Sequence, residues 1–215
     1  MKHQRYANFT VTIICLAISA LALANTNLKG VVGYAKAAIP FLPQNAEREV
    51  EQARPERNHP VELAEIKIKG KAVNIKEKFL EDGEWIKKTD FKLKNKFSKT
   101  ITYIQVNVDF PETLASGIMM QQQLSFGRHP FYGEPTDPQP LGLQPNESLT
   151  VSLSSEFESI KKMIERRHAS INSISKILIR LKDVGFDDGT VYAAGSFFRK
   201  NPDPNSPNKS IEIKE

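Results

Sequence analysis

The sequence predicts an all-β sandwich of about eight strands with one inserted amphipathic helix at residues 155–168. Three observations lead to this fold class. Apolar and polar residues alternate over most of residues 61–200, which is the period of a half-buried strand. Turn-forming residues separate the alternating runs at a spacing typical of sandwiches. Only residues 155–168 change to the helical period.

The first 24 residues have the pattern of a secretory signal peptide. Lys2 and Arg5 lie in a polar start, and an apolar run of 14 residues follows at 11–24. The run ends on Ala22-Leu23-Ala24, a small-x-small pattern that signal peptidases cleave. It is shorter than the roughly 20 apolar residues of a spanning helix. We expect cleavage between Ala24 and Asn25 and export to the periplasm or the extracellular space, with retention as an uncleaved anchor as the alternative.

Cleavage would remove the only cysteine, Cys15, so the mature chain could form no intramolecular disulfide. Its stability would then come from a hydrophobic core, which a chain of this length can bury in a single domain. Loss of Lys2 and Arg5 lowers the formal net charge from +5 to +3. This weak charge and the predicted export argue against a nucleic-acid partner. We also expect no transmembrane span in the mature chain.

Two flanking segments are predicted to lack regular structure, apart from a helical turn or two that residues 44–53 could form. Residues 25–60 contain four prolines and a charged stretch that is too polar to bury much apolar surface. They are interpreted as a flexible linker, or alternatively as a docking segment for a partner. Residues 201–215 contain three prolines and are predicted to be a disordered tail. The folded domain is therefore expected to span residues 61–200.

Three runs before residue 127 alternate clearly, at 73–79, 91–97 and 104–110, and a fourth at 118–126 alternates with Gln122 as an exception. Pro111 is expected to end the third, because proline cannot donate to the ladder. Eleven lysines and five acidic residues lie between Lys67 and Lys99. Many of these lysines alternate with core positions, so they favour solubility and discourage edge pairing. The alternative is attraction to an anionic polymer or a membrane surface.

The helix and the last hairpin have local signals of their own. Ser155 and Glu158 have capping-box spacing, and Phe157, Ile160 and Ile164 share one stripe of the predicted helix. The strand pattern then resumes, and its change of phase predicts a bulge near Asp183. Asp188-Gly189 predicts a hairpin. The apolar run at 191–198 is expected to be a single central return strand.

Three segments carry a resemblance to a known family. They are Lys94–Ile104, Leu143–Val151 and Phe186–Thr190. Each resembles a turn or hairpin of immunoglobulin-like modules of the FxLYD kind, and residues 62–199 are similar to exported bacterial proteins with such a domain. The resemblance implies an immunoglobulin-like sandwich outside the cytoplasm, and it implies no catalytic residue.

The sequence offers no catalytic or metal-binding constellation. His59, His129 and His168 lie far apart without zinc-site spacing, and there is no nucleophile elbow or phosphate-binding glycine loop. Asp187 and Asp188 stand beside a glycine and are interpreted as turn residues. We therefore expect no catalytic residue, no metal and no cofactor.

The best binding candidate is the long loop at residues 127–147. It contains five prolines, which limit its loss of entropy on binding. Arg128, His129, Phe131 and Tyr132 cluster near its start, and aromatic and arginine side chains are common at interfaces. The alternative is that the rings cover an open end of the sandwich. The sequence thus favours a non-enzymatic envelope or secreted module that binds an envelope protein or an anionic or carbohydrate polymer. The second hypothesis is a carbohydrate-binding module that uses this loop.

Overall fold

The computed structural model describes residues 45–115, 117–133, 138–203, 205–206 and 210–213. These residues belong to one compact unit that spans Ile39–Glu215. The predicted signal peptide, its cleavage site at Ala24 and Asn25, and residues 25–44 of the predicted linker lie outside the described residues.

The described chain forms twelve strands in two sheets. One sheet is antiparallel and has the strand order β3-β2-β5-β8. Its strands are β2 (Val61–Ile68), β3 (Lys71–Val73), β5 (Thr89–Asn95) and β8 (Ser148–Ser152). The other sheet is mixed and has eight strands. They are β1 (Ala46–Gln52), β4 (Lys78–Glu81), β6 (Ile101–Ala115), β7 (Ile118–Gly127), β9 (Lys176–Phe186), β10 (Val191–Ala193), β11 (Ser196–Lys200) and β12 (Ser210–Ile213).

Strand β9 is the centre of the eight-stranded sheet. One of its sides pairs with β6, which in turn pairs with β7. Its other side pairs first with β1, in parallel, and then with β10. The register between β6 and β9 shifts by one residue, since Ile104 is opposite Val184 while Val106 is opposite Leu181. The bulge predicted near Asp183 is therefore confirmed, as is the hairpin at Asp188-Gly189.

A single core lies between the two sheets, which agrees with the predicted all-β sandwich. The prediction of about eight strands is too low, because short pairing segments such as β3 and β12 carry little periodicity and the described chain forms twelve strands. Leu93 and Phe91 of the four-stranded sheet and Val108 of the other belong to one buried cluster. The helix α1 (Phe157–Glu165) closes this core with Ile160 and two further buried residues of the predicted stripe. The helix is shorter than predicted and has no capping box, because Glu156 precedes it and makes no side-chain cap. The Ser155 hydroxyl instead donates to the carbonyl oxygen of Ser152.

The predicted linker is wrong for residues 46–52, which form β1 inside the eight-stranded sheet. The strand was not predicted because the segment is polar, and a charged residue, Arg48, occupies one of its inward positions with only 1% exposure. The Arg48 Nη1 donates to the carbonyl oxygens of Ile174 at 2.7 Å and Asn172 at 3.2 Å. Bonds to backbone carbonyls thus replace water at Nε and Nη1 of this guanidinium, whereas its buried Nη2 has no hydrogen-bond partner among the described residues.

Other boundaries also differ from the prediction. The tail is ordered at β12, which pairs with β11. The predicted single strand at 191–198 is two strands, β10 and β11, joined at Ala194-Gly195 with positive φ at both residues. The run at 73–79 is divided between the two sheets. β6 continues through Pro111 because an irregularity interrupts its ladder there, and the Thr113 hydroxyl accepts the Met120 N–H.

Candidate binding surface on the loop after β7

The loop after β7 is fixed to the eight-stranded sheet at its far end. Leu143 exchanges two backbone hydrogen bonds of 2.9 Å with Ile101. The Leu141 N–H donates to the Thr102 carbonyl oxygen, also at 2.9 Å. The loop therefore returns along β6 before it enters β8, and its first residues lie beside the same end of the sheet.

The start of the loop lies on the outer face of this sheet, the face that points away from the core. Tyr103 of β6 is opposite Gly185 of β9 on that face. Pro130 packs onto Gly185 so closely that a Cβ placed there would be 2.5 Å from the Pro130 Cδ atom. A glycine in a strand often marks such a close approach. The absent side chain of Gly185 thus makes room for the loop.

His129 is at the centre of four rings, which we call the aromatic platform: Tyr103, His129, Phe131 and Tyr132. The imidazole meets Tyr103 edge to face at 4.9 Å and stacks on Tyr132 at 4.9 Å between centroids. Phe131 contacts it edge-on at 5.6 Å. The Phe131 N–H donates to Nδ1 at 3.1 Å, which assigns the proton of the neutral ring to Nε2. Burial lowers the pKa of His129, and the charge of Asp183 opposes this effect.

Tyr132 is the exposed member of the aromatic platform. Its side chain is 65% exposed although one ring face lies on His129. Arg128 packs against the same turn, because a Cβ on Gly133 would be 2.3 Å from the Arg128 Cγ atom. The structure therefore brings the four predicted residues, Arg128, His129, Phe131 and Tyr132, together. None of the rings of the aromatic platform belongs to the core cluster between the sheets.

Sequence reasoning missed the two strand residues that support the loop. Tyr103 and Gly185 come from β6 and β9, and only the pairing of these strands brings them beneath Pro130. A signal for Tyr103 was present. It is an aromatic residue on the polar side of β6, where Gln105, Asn107 and Asp109 share its face. A large ring among polar neighbours indicates that something covers it.

The lysine-rich region is largely neutralised. Seven of the eleven lysines between Lys67 and Lys99 form ion pairs with carboxylates. On the outer face of the four-stranded sheet, the Glu65 carboxylate is 2.8 Å from Lys92 Nζ and 3.3 Å from Lys67 Nζ. These contacts lower the pKa of Glu65. Such pairing favours the solubility interpretation over attraction to a polyanion.

A cleft of about 530 Å³ lies elsewhere, between the Asp82–Glu84 turn and α1. Phe157 forms part of its wall, and Lys161 and Glu165 also line it. The side chain of Asn172 fills the space beside Gly83, where a Cβ would be 2.0 Å from its Oδ1 atom. This cleft was not predicted because three distant segments form it.

Two kinds of feature are absent from the part of the chain that the structure describes. It contains no group of three or more His, Cys, Asp or Glu side chains placed to hold a metal ion. It also contains no helix that is long and apolar enough to cross a membrane. Comparison of the chain with protein-family models, with curated proteins and with solved structures finds no match.

Proposed function

We propose that this protein is a non-enzymatic exported module that binds a partner through the aromatic platform. The observation that carries the proposal is the support of Tyr132. Its exposed ring is stacked on His129, which is itself held against Tyr103 on the sheet. An aromatic side chain that is already held in place loses less conformational entropy on binding, which lowers the cost of forming the contact. A partner would therefore contact the exposed ring of Tyr132, while His129 supports its other side.

The finer fold assignment, an immunoglobulin-like sandwich of the FxLYD kind, belongs to the same proposal. Its support is that two of the resembling segments, 94–104 and 143–151, contact each other. Asn95, which is fully buried, donates from Nδ2 to the carbonyl oxygens of Lys99 at 2.9 Å and Leu143 at 3.0 Å. Its backbone also bonds to Asn146 and Glu147. One asparagine thus links both turns that carry the resemblance.

The partner we propose is an envelope protein or a neutral polymer. The ion-paired lysines between Lys67 and Lys99 make a strongly anionic polymer the less favoured partner. A carbohydrate is the second candidate, and a specific observation supports it. Tyr132 is exposed and has one ring face stacked on His129, and Arg128 packs against Gly133, the next residue of the turn. An exposed aromatic ring with a polar side chain in the same turn suits stacking against a sugar ring together with a hydrogen bond to its hydroxyls.

The test compares two changes at one residue. Tyr132→Ala removes the ring, whereas Tyr132→Phe keeps it and is the matched control. If Tyr132 is a hot spot, the alanine variant should lose about 30-fold or more in affinity, and the phenylalanine variant should lose much less. Both should keep the melting temperature of the parent, because the side chain is largely solvated.

Capture from an envelope extract and binding to an array of immobilised glycans and cell-wall polymers separate the two partner classes. Signal on the array that Tyr132→Ala abolishes would establish the carbohydrate hypothesis. Capture of a protein from the extract, with no binding to the array, would instead support an envelope protein as the partner. The triple change of Arg128, Phe131 and Tyr132 to alanine should abolish either signal. Unchanged binding by a folded triple variant would refute the proposal.

A further inference from the structure

Strand β7 is an unusual edge of the eight-stranded sheet. It has ten residues and pairs with β6, and no other described strand pairs with it. The other edge strands of the two sheets, β3, β4, β8 and β12, have three to five residues. Residues 117–127 contain no charged residue and no proline. Proteins normally protect an edge by shortness, charge, proline, a bulge or a covering helix or loop, because open backbone groups recruit another strand. Beside β7 the start of α1 comes near at Gln122, whose Nε2 lies 3.4 Å from Glu156 Oε2.

The sequence of β7 is complementary to itself. Met120, Gln122, Leu124 and Phe126 are opposite the buried β6 residues Phe110, Val108, Val106 and Ile104, so they share the inner face. We propose that β7 pairs antiparallel with β7 of a second copy about a twofold axis at Gln122. Met120 would then be opposite Leu124 of the second copy, and Ile118 opposite Phe126. Every apolar residue on this face meets an apolar residue, and the one glutamine meets itself.

The same register suits the remaining residues of β7. On the outer face, the exposed Gln121 is opposite Gln123 of the second copy, so amides meet amides. Ile118 is 56% exposed in one copy, and the pairing covers it with an aromatic ring. An interface of this kind is isologous, since the same surface serves both copies. This internal match favours a second copy over an unrelated extended peptide, which would need the same spacing of apolar residues and glutamine.

The axis also brings one pair of like charges together. Gln122 Nε2 lies 3.4 Å from Glu156 Oε2 in each copy, so two Glu156 carboxylates approach the axis. Salt screens such repulsion. Self-association should therefore strengthen as ionic strength rises, in contrast to an interface held by opposite charges.

The test is sedimentation velocity of the mature protein over a range of concentrations, with two double variants of matched design. Gln121→Lys with Gln123→Lys places like charges opposite each other across the axis and should give a monomer. Gln121→Lys with Gln123→Glu places opposite charges in the same positions and should give a dimer like the parent. Both sites are exposed, so both variants should fold, and circular dichroism and melting temperature check this.

Three outcomes would overturn the proposal. The first is a parent protein that remains monomeric at every concentration. The second is a dimer that persists with two lysines, because another surface would then hold it. The third is a lysine and glutamate variant that behaves like the variant with two lysines, because Gln121 and Gln123 would then not be opposite each other. Tyr132→Ala should leave the dimer intact, so this test is independent of the proposed ligand site.

Discussion

Two aromatic clusters lie at the same end of the eight-stranded sheet, on opposite faces. The inner cluster comprises Phe97, Phe186, Tyr192 and Phe197, whose rings pack at 5.2–5.9 Å between centroids. The aromatic platform occupies the outer face. Phe186 and Gly185 are neighbours in β9, so they point to opposite faces. One step along a strand thus separates rings packed between the sheets from rings on the outer face, of which Tyr132 is the exposed one.

One tyrosine of each cluster, Tyr192 and Tyr132, shows the same difference in burial. Tyr192 is fully buried, and its hydroxyl donates to the Arg57 carbonyl oxygen at 2.7 Å. Burial raises the pKa of Tyr192 to about 12, with a smaller contribution from Glu56. The hydrogen bond from Tyr192 to Arg57 thus holds residues 53–60 against the sheet. Tyr132 has most of its surface in water. Aromatic content alone thus does not distinguish core rings from surface rings, whereas the face of the sheet on which they lie does.

The largest expected effect is loss of a ring from the inner cluster. Phe186 is 1% exposed, so Phe186→Ala should lower the free energy of unfolding by about 3–5 kcal/mol. Tyr132→Ala should change it by no more than about 0.5 kcal/mol, as is usual for exposed positions. Urea unfolding of both variants measures the difference. Similar losses at the two positions would mean that the aromatic platform is part of the core.

An intermediate effect is expected at the glycine between the clusters. Gly185→Ala would place a Cβ 2.5 Å from the Pro130 Cδ atom and 2.6 Å from its Cγ atom. Overpacking of this kind costs about 1–3 kcal/mol, and it should also displace the platform and weaken ligand capture.

The double variant Gly185→Ala with Pro130→Ala is the control for this interpretation. It removes the ring that the new methyl group meets, so it should recover part of the lost stability, and a double-mutant cycle gives the coupling. If the two losses of stability simply add, a clash between the new methyl group and Pro130 is not the cause of the destabilisation at position 185.

The smallest expected effect is the change of the free energy of unfolding with pH that two histidines produce. His59 contacts the inner cluster, and His129 belongs to the aromatic platform. His59 packs edge-on against Tyr192, accepts the Val61 N–H at Nδ1, and has Nε2 at 3.1 Å from the Lys182 carbonyl oxygen. Burial lowers the pKa of His59, and the carbonyl oxygens of Lys182 and Val61, which accept from the two ring nitrogens when the imidazole is protonated, oppose this effect. The unfolded chain therefore binds more protons than the folded chain once pH falls through about 6.5. The stability present above that pH should be lost progressively as the solution is acidified.

Urea unfolding between neutral and mildly acidic pH checks this dependence. His59→Gln should flatten it more than His129→Gln, because His59 is more completely enclosed while His129 borders the exposed Tyr132. A pH dependence that both variants leave unchanged would assign the effect to carboxylates instead.

The sequence predicts what depends on local periodicity. The sandwich, the helix stripe of Ile160, the bulge near Asp183 and the cluster at residues 128–132 all follow from neighbours along the chain. Features that depend on pairing between distant segments escape it. β1 was missed because Arg48 faces the core, where the carbonyl groups of Glu81, Asn172 and Ile174, all distant in sequence, accept hydrogen bonds from its guanidinium. The turn at Ala194-Gly195 was missed because its first residue is an alanine with positive φ.

The position of β1 has a consequence for synthesis of the chain on the ribosome. Arg48 and its hydrogen-bond acceptor Ile174 are 126 positions apart in sequence. At about 5–20 residues per second, the parallel partner β9 is completed on the order of 6–25 s after β1. β4 can pair with one side of β1 early, but the other side stays open for that interval. Among the described strands, β1 is thus enclosed late although it comes first in sequence, and the eight-stranded sheet cannot be completed before β9 has been synthesised.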